Sequence, residues 1–507
     1  MRQRASIHTL LSCLSTGAAL LVATEAEAQV ATEWQGSASA GLGVTTNVAN
    51  TAVPDRLAPK GTIVPEWDGF GSITPAIQLV VETPRTTNTF VYGLDYHYYF
   101  RHHEANAVSN SLSYALGATV SKSVDFSLGI TAAQTQMSAF NFAGSGQTAQ
   151  AIPTPGGNNY LLTGVVNQSF TVAITDLDSF SQGASFAASD NIPTGDVPKD
   201  VTPPSSTQTY LASGTLSYGH QFRSDSMSFI LGTDVGAYPD LPGGGAIIPQ
   251  HTDIIHRAEL TWHHEWANDW STTAGAGALV AYQGADLHPI GEPIGSASID
   301  YSSGRGTAGL TYSHAAEPNL TLGETMFGDN VALRGLMPLK YGLDVSGAVD
   351  FLASRPLLSQ AQGGGFGDVT YSFVIDATLG YDFKKQPLRL EGRYALSRQF
   401  PGKSPPCSAT EPPPCSKPIP GQIVIPEIRR QDLSIVLTYY FPHPPPPGTH
   451  GPSPVPLPAV GSGAMEVNHP PITREQLSDE EKQGAKDKKK QFDKANGVPE
   501  PAPGENP

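Results

Sequence analysis

The stretch Gln431-Asp432-Leu433-Ser434-Ile435-Val436-Leu437-Thr438-Tyr439-Tyr440-Phe441 decides how the rest of the chain is interpreted. Its odd-numbered residues from Leu433 to Phe441 are all large and apolar, whereas Ser434 and Thr438 are polar. Side chains alternate between the two faces of a strand, so this pattern predicts a half-buried β-strand. The strand ends at Pro442, where a proline-rich run begins that cannot donate to a ladder.

This stretch resembles the closing strand of bacterial outer-membrane β-barrels. In that family the last strand ends in an aromatic residue with another two positions earlier, and the barrel assembly machinery reads both. The matching residues here are Phe441 and Tyr439. The chain departs from the family pattern at Val436, where a glycine is common, and in the 66 residues that follow Phe441. The alternative interpretation is an edge strand of a soluble β-protein.

The two ends of the chain differ in composition from the middle. Residues 1–28 are interpreted as a signal peptide, with Arg2 and Arg4 before an apolar run and cleavage after Ala28. Residues 442–507 are a Pro-rich linker followed by a charged segment, which we expect to be a mostly disordered tail in the periplasm. The predicted barrel therefore occupies residues 29–441.

The cysteines provide one covalent expectation. Cys13 lies in the predicted leader, which leaves Cys407 and Cys415 in the exported chain. An oxidising compartment favours a disulfide between these two residues. A metal site is not expected, because no third or fourth ligand lies nearby in the sequence.

Charge and hydropathy limit the classes of partner. The formal charge is −16, and the tail and the balanced leader account for only −2 of it, so residues 29–441 carry the remaining −14. This excess of negative charge argues against nucleic acid as a partner and favours cations at a pore mouth.

Mean hydropathy is only −0.20. A β-barrel remains compatible with that value, because only alternate residues face lipid.

Segments in which apolar and polar residues alternate, as they do in residues 431–441, recur from Trp34 onwards. The turns between them are alternately short and usually long. Membrane barrels have that arrangement, and closure is what satisfies the backbone inside lipid. We predict an all-β, antiparallel transmembrane barrel of sixteen strands, or eighteen if a hairpin over residues 160–174 joins the wall. Residues 138–207 interrupt the rhythm and could instead plug the lumen. A soluble sandwich or propeller is the alternative, although no blade repeat is present.

If the apolar face meets lipid, the opposite face lines the lumen, because a one-residue shift would exchange every side chain. The predicted pore-lining residues are Asp95, His97, Arg101, Arg257, Glu259, Glu265, Arg334, Asp344, Asp350, Asp376, Asp382, Arg389, Glu391 and Arg393. The architecture resembles that of general porins, in which a long loop after the fifth strand narrows the pore. That resemblance implies passive passage of small solutes.

Catalytic and metal-binding patterns are weak. His263 and His264, within Trp262–Trp266, point to opposite faces of a strand and cannot share a metal. Asp95 with His97 could form an acid–base pair, but a structural lumen pair is the simpler interpretation. Ser313 beside His314 lacks a third catalytic residue. We therefore predict no enzyme and no cofactor.

The leading functional hypothesis is a water-filled, cation-favouring outer-membrane pore for small polar solutes. A second is an export barrel for a polysaccharide or another polymer, in which residues 442–507 would bind a periplasmic partner. A third is a structural anchor with a blocked lumen. The expected partners are outer-membrane lipid and the barrel assembly machinery, without nucleic acid; the sequence leaves the oligomeric state open.

Overall fold

The computed structural model describes residues 31–48, 66–136, 159–193, 207–238, 241–243, 246–248, 251–266, 269–283, 286–303, 305–319, 324–356, 369–383, 386–401 and 427–441. The chain divides into two compact units, residues 1–463 and 464–507, and every described residue belongs to the first. The predicted leader, the two cysteines and the tail lie outside the described residues.

Eighteen antiparallel strands form a single sheet that closes on itself. In chain order they are β1 (Ala31–Thr45), β2 (Asp68–Glu82), β3 (Thr86–Tyr99), β4 (Ala107–Ser121), β5 (Val124–Gln136), β6 (Asn159–Ala173), β7 (Asp178–Pro193), β8 (Thr207–Gln221), β9 (Asp225–Tyr238), β10 (His251–Trp266), β11 (Trp270–Gln283), β12 (Asp286–Ser303), β13 (Gly306–Asn319), β14 (Glu324–Pro338), β15 (Leu343–Pro356), β16 (Thr370–Asp382), β17 (Leu388–Pro401) and β18 (Ile428–Phe441). A small hairpin, Leu241–Gly243 with Ala246–Ile248, lies between β9 and β10.

Closure is made by β1 and β18, whose register runs from Gly36 opposite Phe441 to Thr45 opposite Asp432. The start of β1 and the end of β18 lie at the same end of the barrel as the tight connections, such as Thr83–Arg85 between β2 and β3. We call this the short-turn end. At the opposite, long-loop end, consecutive strands are separated by longer stretches of sequence, as between Pro401 of β17 and Ile428 of β18. This asymmetry is typical of outer-membrane barrels, whose short turns face the periplasm.

The outer face of the wall is apolar and exposed, as a surface in contact with lipid must be. Leu42 on β1 is 66% exposed and Ile435 on β18 is 62% exposed. Exposed aromatic residues lie near the short-turn end, including Trp34, Trp266 and Tyr439, and Tyr98 and Phe100 lie near the long-loop end. Two aromatic bands around an apolar exterior characterise a transmembrane barrel, so the predicted fold class is confirmed.

Within the described part of the chain, no helix is long and apolar enough to cross a membrane.

The main count of sixteen strands is wrong, and the alternative of eighteen is right. The proposed hairpin over residues 160–174 is one continuous strand, β6, and its partner β7 runs from Asp178 to Pro193. The alternation is weak there because Gln168 interrupts the apolar outer positions of β6. The side chain of Gln168 is satisfied across the strands by Gln182 at 3.4 Å. Within residues 138–207, residues 159–173 and 178–193 therefore form wall strands.

One part of the wall departs from a regular cylinder. The ladder between β12 and β13 ends at Gly295 opposite His314. Beyond that pair, residues 286–294 of β12 are paired only with β11, and residues 315–319 of β13 only with β14. The wall is thus split towards the long-loop end.

Candidate functional site

The charged residues predicted to line a pore lie mainly on the face opposite the apolar one. Asp95 and His97 of β3 share the inner face with the buried Tyr99, and their side chains lie 3.1 Å apart. Thr74 of β2 donates to Asp95 at 2.8 Å, and the ring of Phe70 stacks on His97. This packing supports a structural role for the Asp95–His97 pair.

Among the described residues, the largest group of linked charges lies inside the barrel near the short-turn end, around Arg389 at the start of β17. Its guanidinium donates to both carboxylate oxygens of Asp344 at 2.7 and 2.8 Å, and to Glu391 at 2.6 Å. Asp382, the last residue of β16, accepts at 3.1 Å. The side chains of Arg389 and Asp344 are each only 6% exposed.

Arg393 continues this group along β17. It donates to the second oxygen of Glu391, so that one carboxylate joins the two arginines. Asp376 of β16 is on the same inner face, next to the strand that carries both arginines. We call Asp344, Asp376, Asp382, Arg389, Glu391 and Arg393 the charged sector. Four carboxylates against two guanidinium groups give it an excess of negative charge.

Further predicted residues form separate pairs around the wall. Arg257 of β10 lies 3.3 Å from Asp234 of β9, and Glu259 accepts from Ser296 of β12 at 3.2 Å. Arg334 of β14 lies 3.5 Å from Asp350 of β15. The inner face therefore carries paired charges on several strands, although the structure does not bring them into one cluster.

Two predicted residues lie at the margins. Arg101 follows the end of β3, where its backbone nitrogen donates to Asp68 at 2.9 Å and its guanidinium covers the ring of Trp67. It is therefore a loop residue outside the strand. Glu265 lies beside the last residue of β10, at the short-turn end.

Sequence reasoning missed several inner-face contacts. Arg430 is buried on β18, where it donates to Asp432 at 2.8 Å and approaches the hydroxyl of Tyr99. Arg355 of β15 donates to Glu292 of β12 at 2.9 Å, although β13 and β14 lie between these strands in sequence. Parity alone could have identified Arg430, whereas no local pattern links Arg355 with Glu292.

At the long-loop end, the ends of β13, β14 and β15 lie on the lumen side of the wall formed by β9 to β12. Phe327 belongs to the outer face of β14, but it is 2% exposed and packs with Ile255, Leu279 and Ile294. These three residues are on the inner faces of β10, β11 and β12. We call residues 315–319, 324–328 and 355–356 the inner flap.

Hydrogen bonds also hold the inner flap against the inner face of β9 and β10. Thr325 donates to the carboxylate of Asp253 on β10 at 2.8 Å, and the hydroxyl of Tyr238 on β9 lies 3.1 Å from that of Thr325. All three side chains are buried. The inner flap therefore occupies part of the lumen near the long-loop end, at the opposite end of the barrel from the charged sector.

The histidine-rich motif on β10 is divided between the two faces, as the sequence predicts. His263 lies 3.0 Å from the hydroxyl of Thr273, whereas the Nδ1 of His264 lies 2.7 Å from Asp225. Asp225 also accepts from the indole of Trp262 at 2.9 Å. Among the described residues, no group of three or more His, Cys, Asp or Glu side chains could hold a metal ion.

The two residues predicted as the assembly signal lie where the resemblance places them. Tyr439 is exposed on the outer face of β18, and Phe441 is the last residue of the strand. The ring of Phe441 contacts those of Tyr439 and Trp34, with centroids 6.2 and 5.8 Å away. Their recognition by assembly machinery remains a prediction.

No protein-family model matches the sequence, and no curated protein gives a significant match. Among solved structures, OccK2 (OpdF) of Pseudomonas aeruginosa is similar at 11% identity and a TM-score of 0.38, with 80% of this chain and 97% of that chain covered. Outer membrane protein OpdK of the same organism is similar at 10% identity and a TM-score of 0.36, with 81% of this chain and 99% of that chain covered. The FrpB iron transporter of Neisseria meningitidis is similar at 9% identity and a TM-score of 0.42, with 83% of each chain covered. Likenesses this distant do not transfer a substrate or a mechanism to this chain.

Proposed function

We propose that this protein is an outer-membrane pore through which small polar solutes pass passively, with a preference for cations. The observation that carries the proposal is the carboxylate-rich charged sector on the inner face of a closed eighteen-stranded wall. Barrels of this strand number are wide enough to enclose an aqueous channel. Side-chain charges that line such a channel act directly on the solutes that pass.

The charged sector supports cation preference through its composition and its location. Arg389 is occupied by Asp344, Asp382 and Glu391, so its positive charge is already matched by carboxylates. Asp382 is 39% exposed and Asp376 is partly exposed, which leaves carboxylate surface facing the interior. A wall of low dielectric constant around such charges focuses their field and raises the local concentration of cations.

The test is single-channel recording of the full chain in a planar bilayer, with a gradient of potassium chloride across it. We expect discrete conductance steps and a reversal potential on the cation-selective side. Asp376→Asn and Asp382→Asn together should move the reversal potential towards zero, while Asp176→Asn in the β6–β7 turn, which removes a carboxylate outside the charged sector, should leave it in place. A correctly folded barrel that never conducts would refute the pore, whereas anion selectivity would refute only the cation preference.

A further inference from the structure

The sequences of β12 and β13 both disfavour pairing of the two strands beyond the point where their ladder ends. Continuing the register beyond Gly295 and His314 would place Pro293 opposite Ala316 and Glu292 opposite Glu317. Pro289 and Pro293 on β12 and Pro318 on β13 have no N–H to donate, and proline in sheets is confined to edges and bulges. Like charges directly opposite each other are also destabilising. These residues oppose a regular wall at this position.

The inner faces of β10 to β12 have the complementary property. A lumen wall in contact with water is usually polar. Here Ile255, Leu279 and Ile294 form an apolar patch, which is covered by Phe327 and partly by Ala316 of the inner flap. Removal of these apolar side chains from water stabilises the inward position of the flap.

Polar contacts fix the inner flap at two further points. Glu292, which would face Glu317 in a regular ladder, instead accepts from Arg355 at 2.9 Å. Thr325 connects Asp253 and Tyr238. At Gly328 of β14, an added Cβ would lie 2.3 Å from the carbonyl oxygen of Ala353, so the close approach of β14 and β15 requires glycine.

We propose that the inner flap is the element that limits the size of solute admitted, and that the Glu292–Arg355 and Asp253–Thr325 contacts hold it in the lumen. This inference rests on the proposed pore function. The flap replaces a regular stretch of wall that the prolines and the two glutamates disfavour. It narrows the lumen near the long-loop end, while the charged sector acts on charge near the short-turn end.

The test compares the full-length wild type with Arg355→Gln and with Phe327→Ala, using single-channel conductance and exclusion of polyethylene glycols of increasing size. Each change should raise the conductance and admit a larger polymer, because it weakens a contact that holds the flap inward. Arg398→Gln and Phe400→Ala are the matched controls. They remove the Arg398–Glu427 ion pair and an aromatic ring at the same end of the barrel, outside the flap.

A charge exchange separates loss of the flap contact from general damage. Glu292→Arg combined with Arg355→Glu should restore the wild-type polymer cutoff that Arg355→Gln loses. If folded Arg355→Gln and Phe327→Ala barrels conduct as the wild type does, with the same cutoff, the flap does not limit passage and the inference fails. A wild type that does not conduct would instead overturn the proposed pore itself. Heat-modifiable migration confirms that each variant is folded before it is recorded.

Discussion

The ring of Phe441 lies directly over the backbone of Gly36, the residue it faces across the closing pair of strands. A Cβ on Gly36 would lie 2.3 Å from the ring, well inside any contact distance. At the closing pair of strands, the ring on β18 therefore occupies the space that a side chain at position 36 of β1 would need.

Gly36→Val should lower the yield of folded barrel in the outer membrane, because the new side chain overlaps the ring of Phe441. Heat-modifiable migration in membrane fractions measures the folded yield. Gly117→Val is the control, since nothing lies within 4 Å of a Cβ at that position. An equal yield from the two variants would mean that the contact is dispensable for closure.

Phe441→Ala should reduce barrel assembly more than Phe492→Ala in the tail. The reason is that Phe441 both packs against Trp34 at the closing strands and occupies the position of the expected assembly signal. Quantitative immunoblotting of outer-membrane fractions measures the difference. If both variants reach the membrane in equal amounts, neither the packing nor the signal limits assembly.

Arg389→Met should destabilise the barrel strongly, because it leaves Asp344 and Glu391 buried without their shared cation. Removing one partner of a buried ion pair typically costs about 3–5 kcal/mol. Arg389→Lys keeps the charge but not the planar, multidentate geometry, and should fall between Arg389→Met and the wild type. Urea unfolding in detergent, followed by tryptophan fluorescence, gives the order; a Met variant as stable as the wild type would contradict it.

Asp225→Asn should lower the temperature at which the folded band disappears in heat-modifiability gels. The carboxylate of Asp225 accepts from both His264 and Trp262 on the outer face near the short-turn end. An amide in its place presents a weaker, uncharged acceptor to these donors. Asp176→Asn makes the same change in charge in the turn between β6 and β7 and serves as the control. Identical transition temperatures would show that the Asp225 contacts do not contribute to stability.

The sequence alone was sufficient to predict the fold class and the face on which most charges lie. Side-chain direction in a strand is a local property with a period of two, so the apolar residues of β18 also assigned Ser434 and Thr438 to the inner face. The same parity places Asp344, Asp376 and Arg389 on one surface. Their function as pore-lining residues remains a prediction, as do the disulfide, the leader and the tail.

The tertiary structure alone decided three features, because each depends on pairing between strands that are distant in sequence. Gln168 weakens the alternation of apolar and polar residues in β6. Only the pairing of β6 with β5 and β7 shows that this strand is continuous and that the wall has eighteen strands. The contact of Phe441 with Gly36 follows from closure, which joins the two ends of the barrel sequence. The prolines of β12 and β13 indicate an interrupted ladder, but the direction in which the flap turns is fixed by packing. Phe327 reaches Ile255 and Leu279 on strands that no local pattern associates with it.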